Sequence, residues 1–191
     1  MDYYTKYSWL FLLKNKSDVT HVFLQFQKLV ANFFNAKIKT LYTDGGGEFT
    51  GLTPHLVACG IQHLKSPPYT PQLVGSAERK HRHIVETGLA LLHHSALPLK
   101  FWSAAFQTAT YLINRLPTQV LKLQSPFEKL FNYSPNFQKF KVFSCLCFPH
   151  LRPYTYHKLE PRSKPCVFLC YSLEHNSYRC FDPSLNKIYV T

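Results

Sequence analysis

The stretch from Leu41 to His83 constrains the fold more than any other part of this chain. A short strand-like run over residues 38–43 ends at Asp44 and opens onto Gly45-Gly46-Gly47. A loop with three prolines (residues 66–72) follows, and then a helix-like segment that carries Glu78 among Arg, Lys and His. Prolines disfavour helix at the residue before each of them, so that loop is expected to be extended. Glycines beside Asp44 leave no Cβ to keep a ligand away from the backbone. Glu78, one or two turns into a helix, has its oxygens held by a rigid element. Two such carboxylates suit Mg²⁺ or Mn²⁺, hard ions that bind through one or two carboxylates plus phosphate oxygens and water. Two ions clamping both oxygens of an in-line phosphoryl displacement would be the corresponding chemistry. Taken singly, Asp44 reads as a turn aspartate and Glu78 as a charge favoured by the helix dipole. The metal reading rests on the ordered pair.

The helix expected over residues 74–94 has two faces. Ala77, His81, Ile84, Val85, Gly88, Leu91 and Leu92 line one side, and Glu78, Arg79, Arg82, His83 and Glu86 the other. Glu78 and Arg82 are four apart, so a plain ion pair is one reading. So dense a basic cluster favours the other reading, with a metal on Glu78 and phosphates on Arg79, Lys80, Arg82 and His83. The net charge of +12, from 22 Lys and Arg against 10 Asp and Glu, points the same way, to a polyanion such as DNA. No polybasic amphipathic helix supports a membrane surface, and no apolar run approaches the roughly 20 residues of a membrane span.

Upstream, residues 7–13 (YSWLFLL) read as a buried strand. Ser17 is placed to cap a helix whose face is Val19, Phe23, Phe26, Val30 and Phe33. Residues 52–58 suit a short helix stopped by Gly60, and 61–64 a brief strand. Pro98 opens a helix over 99–115, in which Trp102 and Phe106 are expected core contacts. Ser125-Pro126 starts a further short helix. After Pro135 the texture changes to short strands over 140–148, 165–171, 177–181 and 187–190, a small β-barrel or meander with an exposed basic loop over 158–164. Six cysteines lack a C-x-x-C spacing, so buried free thiols are expected rather than a zinc site.

The motifs TDGGGEF, SPPYTPQLVGSAERKHRHIVETGL, YLINRLPT and SPFEKLF occur in this order, and the chain resembles the integrase segment of copia-type retrotransposon polyproteins from end to end. The resemblance implies an α/β fold: part of a ribonuclease H-like core over 1–95, a helical extension over 96–135, and an SH3-like β-barrel over 136–191. It implies a D,D,E triad with Asp44 as second aspartate and Glu78 as glutamate. Residues 1–7 match a run that follows the first aspartate, so that residue and most of the second strand are expected to lie outside this sequence. Gly45 and Val74 stand where the family usually has Asn. The implied ancestral activity is metal-dependent DNA strand transfer. With two of three carboxylates, the chain alone is expected to be inactive while retaining DNA contacts, intracellular and in the nucleus if it acts on DNA, with self-association a further expectation. A non-catalytic nucleic-acid or protein interaction module and an unstable relic are the alternatives.

Overall fold

The computed structural model describes residues 1–65, 75–154, 157, 159–172 and 177–191. The proline loop at 66–72, Val74 and Lys158 of the basic loop lie outside the described residues. Two compact units make up the chain: Phe11–His81, and Met1–Leu10 with Arg82–Thr191.

In the unit Phe11–His81, helix α1 (Val19–Phe34) is entered through a 3₁₀ turn, Lys16–Asp18. The Asp18 carboxylate accepts the Asn15 backbone N–H at 3.1 Å. Ser17 therefore sits inside the turn instead of capping the helix. Val19 and Phe23 pack against Leu52, Leu56 and Ile61, the small core of this unit. Phe33, at the far end of the same stripe, is 69% exposed, so the periodic face runs beyond its cover. Strand β1 (Thr40–Thr43) pairs in parallel with β2 (Gln62–Lys65), Thr40 opposite Gln62 and Thr43 opposite Lys65. Parallel neighbours need a crossover. Here it is a 3₁₀ segment, Gly47–Leu52, running into α2 (Thr53–Ala58). Gly60 ends α2 at φ +65°, a left-handed conformation that glycine adopts without a Cβ clash.

The expected strand over 7–13 is not formed. Among the described residues, the sheet of this part holds β1 and β2 alone. Phe11, Leu12 and Leu13 are 46%, 38% and 37% exposed. A strand needs a neighbour's N–H and C=O groups, and no described strand lies beside this segment. Ser8 obtains its partners from a side chain: its N–H donates to Asn114 Oδ1 at 2.9 Å, and its C=O accepts from Asn114 Nδ2 at 2.8 Å. The Ser8 hydroxyl, by contrast, is buried without a partner. Ser8→Ala should therefore raise thermal stability slightly, by about 1 kcal/mol, as read from denaturant melts.

Helix α3 (Gly75–Ser95) starts in the unit Phe11–His81, and its part in the unit containing Arg82–Thr191 buries Ile84, Gly88 and Leu92, spaced by four along one face. Helix α4 (Trp102–Arg115) follows a 3₁₀ turn at Leu99–Phe101. Ala104, Ala105, Thr108 and Ala109 bury on α4, small residues that let it lie close to a sheet. Thr108 Oγ1 donates to the Leu169 carbonyl at 3.0 Å and ties the two together. Trp102, expected in the core, is 42% exposed, with its ring edge against Phe106. Helix α5 (Pro126–Phe131) has the expected cap, the Ser125 hydroxyl accepting the Glu128 N–H at 3.0 Å. The guanidinium of Arg115 lies over Tyr111 at 3.5 Å and Phe127 at 4.5 Å, and Tyr111 stacks on Tyr171 at 3.7 Å.

Strands β3 (Leu146–Cys147), β4 (Cys166–Ser172), β5 (Ser177–Asp182) and β6 (Lys187–Val190) form an antiparallel meander in chain order. β3 is far shorter than the run expected over 140–148. Val142 and Leu146 are 75% and 66% exposed, and Ser144 takes φ +65°, which breaks the extended run. A bulge between Phe168 and Cys170 bends β4. All six cysteines are free, and Cys166, Cys170 and Cys180 are buried. Burial pushes the Cys170 thiol up to about 11 and the Cys180 thiol higher still, so both stay protonated and unreactive.

Asp182 closes the turn into β6. Its Oδ1 accepts from the Ser184 N–H (2.9 Å) and hydroxyl (2.6 Å), while Oδ2 pairs with Lys164. The Lys164 ammonium, then the Ser184 groups, hold the carboxyl well below its ordinary range, at about 2. The unfolded chain binds a proton near about 3.9. The contribution of this group is thus complete above that value and lost as pH falls from about 4 towards about 2. Asp182→Asn should lower stability at neutral pH and flatten the acid limb of a stability–pH curve.

Candidate metal and nucleic-acid site

Asp44 follows the last residue of β1. Its Oδ1 accepts the Gly46 N–H at 3.0 Å, and Gly45 turns the chain at φ +81°. Thr43 is buried beneath it; its hydroxyl contacts His63 Nε2 at 2.9 Å and accepts the Gly45 N–H at 3.3 Å. These bonds fix where β1 ends, and the Asp44 side chain is exposed there. The Glu48 carboxylate lies over Gly46: a Cβ on that glycine would stand 2.8 Å from Glu48 Oε2. The structure thus brings a second carboxylate to Asp44's loop. The sequence signal for it was the glutamate of TDGGGEF, four residues on from Asp44.

Glu78 is in the first turn of α3 and exposed. It lies in the same compact unit as Asp44. Glu78 and Arg82, both described residues, do not pair. Arg79 leans back along the helix, its Nη1 being 3.5 Å from where a Cβ on Gly75 would stand. Arg79, Arg82 and His83 are exposed and Lys80 is half-buried, so the basic run does present charge to solvent. Ala77 and His81, expected on the apolar side, are exposed as well. The buried stripe begins only at Ile84.

The donors present fit a hard divalent ion in kind, since Asp44, Glu48 and Glu78 are all carboxylates. In number they fall short of a closed set. Among the described residues, no three His, Cys, Asp or Glu side chains gather in an arrangement able to hold a metal. Among the same residues, no helix is long and apolar enough to cross a membrane.

Comparisons with known proteins bear on both units. Residues 145–191, which contain β3 to β6, match the model of the retroviral polymerase SH3-like domain. The whole chain is 51% identical to a stretch of the retrovirus-related Pol polyprotein from transposon RE1 of Arabidopsis thaliana, and 52% identical to that from transposon RE2. A third relative, the Pol polyprotein from transposon TNT 1-94 of Nicotiana tabacum, is 39% identical over 94% of the chain. The chain spans 13% of the length of the Arabidopsis relatives and 14% of the tobacco one. Among solved structures, the catalytic core domain of BIV integrase is similar over 65% of this chain and 76% of that one, at a TM-score of 0.45 and 21% identity. A simian T-cell lymphotropic virus intasome in complex with the PP2A regulatory subunit B56 gamma matches over 93% of this chain and 62% of that one, at 0.48 and 17%.

Proposed function

As a segment homologous along its whole length to retrovirus-related Pol polyproteins of copia-type transposons, the chain, we propose, is the part of an integrase that grips DNA through the start of α3. The exposed run of Arg79, Arg82 and His83 beside half-buried Lys80, in a chain of net charge +12, carries this reading. A rigid helix holds these cations on successive turns, a spacing that suits neighbouring phosphates along a backbone. Contacts of this kind position the duplex and carry little sequence information.

Asp44 and Glu78 are the residues that would hold Mg²⁺ or Mn²⁺. When bound, such an ion supplies Lewis acidity at a phosphodiester oxygen. Asp44 is oriented for this by the Gly46 N–H on Oδ1, which leaves Oδ2 as the outward donor. The ancestral reaction would be strand transfer, a DNA 3′ hydroxyl attacking a target phosphodiester. Exposed Phe11, Leu12 and Leu13 support self-association as a further part of this reading.

Salt titration of duplex binding tests the proposal. Affinity should fall linearly in log–log form, with a slope of about −0.9 per phosphate neutralised. Replacing Arg79, Lys80 and Arg82 together by Ala should flatten that slope by about two to three. An unchanged slope would remove α3 from the interface. Calorimetry tests the metal roles separately: weak Mg²⁺ or Mn²⁺ binding should weaken further in Asp44→Asn, and no heat in the millimolar range would remove Asp44 and Glu78 from them.

A further inference from the structure

A cavity of about 300 Å³ opens between the start of α4 and strands β5 and β6, well along the chain from the basic run of α3. Lys100 and Arg179 both line it, and its lining contains no acidic residue. Phe101 and Phe181 meet edge to face at 4.9 Å and make its apolar wall. The Lys100 ammonium lies 5.1 Å from the Phe101 ring centroid and 5.6 Å from that of Phe181. Arg179 and Phe181 alternate on β5 and so point to one face of the sheet. Gln107 Oε1 accepts the Cys170 thiol at 3.3 Å, which leaves the amide NH₂ to donate to a ligand. The first turn of α4 adds the positive end of its dipole to the same side.

Two cations without a carboxylate, an aromatic wall and one amide donor make a complementary set for a flat apolar ring bearing an anion. The volume is at the small end of ligand pockets, enough for a single unit of that kind. A paired, stacked duplex does not offer its ring faces, whereas a single strand does. We propose that this cavity seats one nucleotide of single-stranded nucleic acid, its phosphate between Lys100 and Arg179 and its base against Phe181. The choice of a nucleic acid rests on the polyanion reading above; the site and its residues are independent of α3.

Fluorescence anisotropy of the full chain with a labelled oligothymidylate, and in parallel with a labelled duplex, tests this. Lys100→Ala with Arg179→Ala should weaken oligothymidylate binding about tenfold and leave duplex binding unchanged. Phe181→Leu, which keeps the charge, should weaken the single strand without altering its salt slope. Unchanged oligothymidylate binding in the double variant overturns the proposal, and so does an equal loss for both probes, which would make the pair general surface charge. Free thymidine monophosphate displacing the oligonucleotide at the oligonucleotide's own affinity would overturn the single strand as the source. Binding of an acidic Glu-Tyr copolymer in place of the oligonucleotide would assign the cavity to a protein and overturn it too. The α3 reading fails by a different result, duplex binding indifferent to Arg79, Lys80 and Arg82, which leaves the cavity untouched.

Discussion

Asn114→Ala is expected to destabilise the unit containing Arg82–Thr191 by about 2–6 kcal/mol, taking about 1–3 kcal/mol for each of two buried backbone groups left unpaired. Asn114 is 2% exposed, on the last turn of α4, and serves both the N–H and the C=O of Ser8 across 106 residues of sequence. It does for the N-terminal segment what a neighbouring strand would do. Since whole domains are stable by only about 5–15 kcal/mol, this one change approaches the limit of what the fold tolerates. Asn114→Asp keeps the acceptor for the Ser8 N–H but sets a charged oxygen against the Ser8 carbonyl, so it should be no better than alanine. Denaturant melts of the two variants read this directly, and a loss below about 1 kcal/mol in either would show that water satisfies Ser8 instead.

Gly88→Ala is the second large effect. A Cβ at Gly88 would stand 2.2 Å from Phe106 Cδ1 and 2.7 Å from Cε1, so α3 and α4 meet there with no room for a methyl group. Alanine is favoured over glycine in a helix by about 1 kcal/mol, which works against the clash. Phe106 has little room to give: Trp102 sits edge-on to its ring at 5.5 Å, and the ring packs against the core of Leu92, Phe101, Ala105 and Leu169. Overpacking of this kind costs about 1–3 kcal/mol, and the clash should prevail. Phe106→Leu in the same chain should recover much of the loss, since it removes the atoms that collide. Strongly non-additive melts for the pair are the expected signature.

The sequence made some elements legible and not others, for physical reasons. The helices containing Ile84–Gly88–Leu92 and Ala104–Ala105–Thr108–Ala109 followed from spacing, because a helix satisfies its own backbone and its pattern is local. The Ser125 cap and the Gly60 stop were equally local. Residues 7–13 show the opposite case. Their composition is that of a strand, but a strand exists only if another chain segment pairs with it, and spacing within YSWLFLL carries no information about that. The shortened β3 fails for the same reason, with Ser144 at positive φ where the pattern suggested continuous extension.

At the candidate site, Asp44 and Glu78 stand out in the sequence because each sits at a recognisable boundary, and the structure places them at those boundaries, a strand end before glycines and the first turn of a helix. Glu48 was missed because its carboxylate reaches Gly46 only through the way the chain turns at Gly45 and Gly46, which the local pattern does not mark. The reason for Gly88 lay in a different helix. The cavity lined by Lys100, Gln107 and Arg179 draws on residues nearly eighty positions apart, with nothing local to mark them.

Hydrogen exchange of the full chain with and without duplex DNA tests the central claim most directly. DNA bound through α3 should slow amide exchange at the start of that helix, around Ser76–His83, and leave β6 at Lys187–Val190 unchanged. Protection that appears on β6 and the segment around Lys139–Lys141, with α3 unaffected, would place the DNA on the β-sheet module and contradict the account.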